Sequence, residues 1–85
     1  MFFMYILKSS QDNELYIGST GNLKKRFKEH NSGLVQSTKD RLPFRLVYYE
    51  AYLSEAEARH REHNLKLRGS ARIQLFRRIQ ESLTS

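Results

Sequence analysis

Leu15-Tyr16-Ile17-Gly18-Ser19-Thr20-Gly21-Asn22-Leu23-Lys24-Lys25-Arg26-Phe27-Lys28-Glu29-His30 joins a strand that ends in Tyr-Ile-Gly to a basic helix with Arg26 and His30 four residues apart. A tyrosine, an arginine and a histidine thereby converge where a strand hands over to a helix. The rest of the chain can be read outward from this junction.

Toward the amino end, residues 2 to 7 form a run too short for a stable helix and rich in aromatic and branched side chains. Such a run is expected to be a strand that is apolar on both faces and central in its sheet. Polar residues Ser9 to Asn13 mark a turn, and the strand from about Glu14 to Gly18 is expected to pair back as a hairpin centred near Ser10 and Gln11. In that register Tyr5 lies opposite Tyr16, and opposed residues share a sheet face.

Toward the carboxyl end, Asn22 is an N-cap for a helix through Asn31, with Gly33 suited to a left-handed end. Leu23 and Phe27 are expected to pack inward, with Arg26 and His30 stacked beside that seam. Residues 32 to 42 carry no sustained period and read as a loop closed by Pro43. The alternating run Phe44 to Tyr52 reads as a third antiparallel strand. Ser54-Glu55-Ala56-Glu57 is a capping box that opens a second helix ending near Gly69, with a sheet-facing stripe Ala58, Glu62, Leu65. A third helix follows, with Arg72, Phe76, Ile79 and Leu83 at helical spacing. The expected fold is one α+β domain over residues 1–85, with a small three-stranded antiparallel sheet flanked by helices in the order β-β-α-β-α-α.

Composition narrows the functions available to it. The 85 residues suffice for one core but not for a separate recognition domain. The absence of cysteine removes thiolate metal sites and thiol nucleophiles, and makes a reducing cytoplasm the simpler expectation. Only seven apolar residues precede Lys8, with no basic segment ahead of them, so neither a signal peptide nor a membrane span is expected. A formal charge of +6 favours a polyanionic partner.

The carboxylate that interrupts the second helix's buried stripe has two readings: Glu62 is paired with a nearby cation such as Arg26, or it binds a hard divalent ion. A single carboxylate is compatible with magnesium, which keeps several waters and takes further oxygens from phosphate. Arg26 is either a solvated helix arginine or a planar fork for two oxygens of a scissile phosphate. His30 either favours the helix dipole or engages phosphate. His60 and His63 lack the further ligands of a zinc site and read as surface residues. A tyrosine facing arginine and metal has its anion favoured, so a phenol with an ordinary pKa of about 10 could act as a base. Gly18 permits an unusual backbone angle or the close approach of a phosphate.

In order, Phe3-Met4-Tyr5, Tyr16-Ile17-Gly18, Leu23-Lys24-Lys25-Arg26 with His30, and Arg61-Glu62-His63-Asn64-Leu65-Lys66 resemble the GIY-YIG nuclease superfamily over about residues 2 to 67. The likeness is to its short single-domain branch, and to the catalytic N-terminal domain of the bacterial excision-repair incision subunit. It implies an endonuclease that hydrolyses phosphodiesters with one divalent metal, Mg2+ or Mn2+, acting on DNA ahead of RNA, in repair or recombination. Carried over by motif, Tyr5 activates water, Tyr16 and Gly18 shape the phosphate site, Arg26 is the catalytic arginine, His30 stands where the family has His or Tyr, and Glu62 is the metal ligand. Lys24, Lys25, Lys39, Arg41 and Lys66 are the further candidates for nucleic-acid contact. Three departures stand out. Phe3-Met4 replaces Gly-Ile, Ser19 stands where some relatives have lysine, and Gln74 is the nearest counterpart by spacing of an asparagine carried by some relatives.

Two other functions compete, a nucleic-acid-binding module without turnover and a protein-interaction domain whose basicity is incidental. With so little surface, recognition of nucleic-acid shape is expected over base readout, with a separate specificity partner left open.

Overall fold

Strand β1 (Phe2–Ser9) carries the apolar run, and it is central because both neighbours pair with it: the sheet order is β2-β1-β3, with β2 at Leu15–Thr20 and β3 at Phe44–Tyr52. The computed structural model describes residues 1–85. Both pairings are antiparallel. Helix α1 (Leu23–Asn31) covers one face, over Tyr5, Leu7 and Phe44. Helices α2 (Glu55–Leu67), α3 (Gly69–Arg78) and α4 (Gln80–Thr84) lie on the other side, where Met4 and Ile6 pack with Leu65 and Leu75. Alternation along β1 therefore sends odd residues to α1 and even residues to α2 and α3. No helix is long and apolar enough to cross a membrane.

The hairpin register differs from the expected one by two residues. Tyr5 pairs with Gly18 and Leu7 with Tyr16, because the turn is set by side-chain bonds that hydrophobic pattern does not encode. The Ser9 hydroxyl accepts from the backbone N–H of Gln11 and Asp12, the Asp12 carboxylate accepts from the Glu14 N–H, and Asn13 takes a left-handed φ of 60°. A slip of two keeps every side chain on its own face. Tyr5 and Tyr16 are thus diagonal neighbours on the α1 side, with ring centroids 6.3 Å apart.

A bulge shifts the β1–β3 register between Ile6 and Leu7. Val47 and Tyr48 consequently both pack toward α2 and α3, which breaks the alternation expected of β3. The Asn22 side chain caps α1 by accepting from Lys25 N–H, Ser54 caps α2 by accepting from Glu57 N–H, and Gly33 takes a left-handed φ of 74°. The expected third helix is broken at Ile79 into α3 and α4, and its most buried residue is Leu75, outside the expected stripe. Arg72, placed in that stripe, donates instead to the Leu65 and Lys66 carbonyls at the end of α2.

Asn31 ties α1 to β3. Its amide donates to the Phe44 carbonyl at 3.0 Å, and its carbonyl oxygen accepts from the Phe44 N–H at 2.6 Å. Two bonds at about 1 kcal/mol each make Asn31→Ala cost about 2 kcal/mol. Chemical denaturation is expected to show a lower midpoint with an unchanged slope.

Candidate active site

Tyr5 is 1 % exposed, and its ring runs under the α1 face toward β2. Its hydroxyl is 2.9 Å from His30 Nε2, and His30 Nδ1 is 2.8 Å from Thr38 Oγ1. His30 and Thr38 are both fully buried, so this three-member chain is closed to water at its inner end. The His30 ring is also 4.9 Å from the Tyr16 ring, edge to face. Burial, with the Arg26 charge beside it, lowers the His30 pKa to about 4, so the ring is uncharged at neutral pH. Engagement of a phosphate by His30, as expected from the sequence, does not fit a side chain with no exposed surface. It stands behind Tyr5.

The protein's own groups push the Tyr5 phenol up to about 12. Burial is the main cause, the nearby Tyr16 and Glu62 add to it, and the Arg26 guanidinium pulls against them. On its own the phenol is therefore a weaker acid than free tyrosine, not a ready anion. Gly18 explains how the ring fits: a Cβ there would lie 2.5 Å from the Tyr5 hydroxyl oxygen and 3.1 Å from Tyr16 Cε1. The glycine is buried and its φ is not positive, so it serves neither of the expected purposes. It is the gap through which the phenol passes.

Arg26 projects from α1 next to this phenol and pairs with Glu29 at 3.1 Å, not with Glu62. The two line a polar cleft with Ser19, Thr20, Gly21, Asn22 and Lys25. Glu62 reaches the same β2 edge from α2. Its Oε1 accepts from the Ser19 hydroxyl at 2.6 Å and its Oε2 from Lys66 Nζ at 2.6 Å. Lys66 also lies 5.8 Å from the centre of the Tyr16 ring. The cation that answers Glu62 is thus the lysine one helical turn away, and the side chain keeps 21 % of its surface exposed.

Arg61, adjacent in sequence to Glu62, points to the other edge of the sheet. It makes two bonds to Glu50, at 3.0 and 3.2 Å, and the Tyr48 and Tyr52 hydroxyls also donate to that carboxylate. Burial opposes ionisation of Glu50, but these bonds outweigh it and hold its pKa below the ordinary range. Glu50 is therefore fully occupied, whereas Glu62 stands on Ser19 at the cleft's edge and Glu29 lines the cleft paired with Arg26.

Of the further candidates, Lys24 and Lys25 are exposed on α1 and Lys39 is exposed in the 32–43 segment. Arg41 is spent elsewhere: it pairs with Asp12 at 2.7 Å and stacks on Phe44 at 5.5 Å. Gln74 is exposed on α3, and His60 and His63 are exposed on α2. Thr38, Asn31 and the Ser19 hydroxyl were not singled out as site residues. Only Ser19 carried a signal, as a departure from a motif.

The profile of the GIY-YIG catalytic domain matches residues 1–74, every strand and both helices of this constellation. The chain belongs to the GIY-YIG family. Within it, the chain is 43 % identical over 78 residues to UPF0213 protein CPE1444 of Clostridium perfringens, covering 89 % of this chain and 83 % of that one. It is 43 % identical over 65 residues to UPF0213 protein SH2523 of Staphylococcus haemolyticus, covering 75 % and 78 %. The solution NMR structure of UPF0213 protein BH0048 from Bacillus halodurans is similar at a TM-score of 0.54 and 37 % identity, over 88 % of this chain and 82 % of that one. This GIY-YIG chain is accordingly of the short, single-domain branch of a nuclease family, with the α+β fold expected of it.

Proposed function

We propose that the chain is a metal-dependent endonuclease that hydrolyses phosphodiester bonds, in DNA ahead of RNA, with a setting in repair or recombination. One observation carries the reading: the Tyr5 hydroxyl is bonded to an uncharged, buried His30, while Arg26 and Glu62 both sit close enough to bear on its charge.

The donor set fits a hard divalent ion. Glu62 and the Ser19 hydroxyl offer oxygens, and the Lys66 ammonium on Glu62 Oε2 stands in for a cation. Mg2+ or Mn2+ suits one carboxylate plus waters and phosphate oxygens. No three His, Cys, Asp or Glu side chains gather to form a zinc-type cage. When bound, the ion supplies Lewis acidity at the phosphate and offsets developing charge.

The chain's own groups do the rest. Arg26 presents its fork to two non-bridging phosphate oxygens. The Tyr5 oxygen takes a proton from the attacking water while its own proton passes to His30 Nε2, with Nδ1–H held on Thr38 Oγ1. As the water oxygen bonds to phosphorus, the bond to the leaving oxygen breaks and that oxygen is protonated by solvent. This relay lets a phenol of pKa about 12 act at neutral pH without ionising first.

The pH profile tests the relay. A ring with pKa about 4 is free to accept a proton throughout the neutral range, so the wild-type cleavage rate is expected to be flat from about pH 6 to 8.5. The rate is lost as pH falls through the His30 pKa and the acceptor fills. In His30→Gln the phenol must ionise to act, so the rate is expected to fall about 10²- to 10⁴-fold at neutrality and to climb about tenfold per pH unit. Parallel profiles for the two proteins would remove His30 from proton transfer. Turnover itself is tested by incubating the protein with branched, flapped, nicked and plain duplexes with and without Mn2+; binding without cuts would leave a recognition module.

A further inference from the structure

Across α1 from Arg26, Phe3, Leu23, Phe27, Leu46 and Tyr49 line an apolar groove of about 670 Å³ that opens beside Lys24. Tyr49 keeps 52 % of its surface exposed, its ring edge to face with Phe3 at 5.9 Å. Gly21 and Asn22 line both this groove and the cleft that holds Arg26. The two meet around the amino end of α1, whose first turn has no acidic residue and displays Lys24 and Lys25.

An aromatic face bordered by Lys24, sharing Gly21 and Asn22 with the cleft that holds Lys25 and Arg26, matches the two halves of a nucleotide. A base stacks on the ring, and the backbone that carries it stays with the cations. Bases inside a duplex already have both faces covered by their neighbours, so only an unpaired base can enter. An apolar peptide would leave the lysines and the shared border with the cleft without a role. We propose that this groove receives an unpaired base of the strand held at Arg26, stacked on Tyr49, and that the substrates are strands with unpaired nucleotides next to the scissile phosphate. The inference rests on the nuclease reading and specifies its substrate class.

Tyr49 lies outside the reaction machinery and is half exposed, so its replacement leaves the fold in place. Binding is to be measured in chelator, where cleavage cannot occur, with a single-stranded DNA oligonucleotide and a blunt duplex of the same sequence. A fluorescent adenine analogue placed along the single strand reports stacking. Tyr49→Ala is expected to weaken single-strand binding about tenfold, leave duplex binding unchanged and abolish quenching of the analogue, with Tyr49→Phe restoring both signals. Equal binding by Tyr49→Ala and wild type, or a parallel loss on both DNAs, overturns the groove assignment while leaving the nuclease reading standing. So does a wild-type dimer in sedimentation that Tyr49→Ala dissociates without changing DNA binding. Failure of the wild-type protein to bind either DNA at low salt overturns both.

Discussion

Glu62→Gln is expected to abolish metal-dependent nicking of supercoiled plasmid, a loss on the order of a thousandfold or more, while leaving the protein folded and able to bind DNA. The substitution keeps the shape of the side chain and its capacity to accept from Ser19, whose hydroxyl is 2.6 Å from Oε1. It removes the charge that holds Lys66 at Oε2 and that a divalent ion would need. Stability should change little, because a part-exposed ion pair within one helix contributes less than about 1 kcal/mol. DNA affinity in chelator should hold or rise, since a negative charge has left the cleft. Cleavage by Glu62→Gln at the wild-type rate would refute the metal role of this residue, whatever the binding data.

Gly18→Ala is expected to injure both stability and rate. The added methyl would sit 2.5 Å from the Tyr5 hydroxyl oxygen and 2.6 Å from its Cζ. Tyr5 has nowhere to withdraw, because its hydroxyl is bonded to His30 and the Tyr16 ring closes the same side. Overpacking of this kind costs about 1–3 kcal/mol, and each kcal/mol lowers the melting temperature of a domain this size by about 4–8 °C. A phenol moved by about an ångström should slow cleavage about a hundredfold. Gly21→Ala is the control. A Cβ there meets only Phe2 at 3.6 Å, an ordinary contact, and little change is expected.

The elements of this fold were legible because each has a period or a cap. The central strand is an unbroken apolar run, α1 and α2 open on Asn22 and Ser54, and Phe44 to Tyr52 begins and ends β3 as read. The hairpin register was not, because hydroxyl and carboxylate bonds to the turn backbone displaced its centre by one residue and the pairing by two. The bulge at Val47 and the break at Ile79 likewise answer to packing between elements that no local pattern announces.

For the candidate site, the motif order pointed to Tyr5, Tyr16, Arg26, His30 and Glu62, but not to how they are connected. In the sequence His30 reads as a group that favours the helix dipole or engages phosphate; its burial depends on Thr38, which comes from an aperiodic segment. Glu62 was read against Arg26, yet Glu29 claims that arginine from three residues away. Partner choice among many charges is decided by helix geometry and by which edge each side chain reaches, and single-chain patterns carry little of either.

The double bond between Asn31 and Phe44 also bears on how such a domain can diversify. The chain leaves α1 and re-enters β3 at one fixed clasp, so the stretch between is tethered at both ends whatever its length. Doubling such a stretch costs only about 0.6 kcal/mol of closure entropy. Leu34, 74 % exposed and ahead of the turn that seats Thr38, marks a graft point where a foreign module could be spliced in without disturbing the anchor of His30.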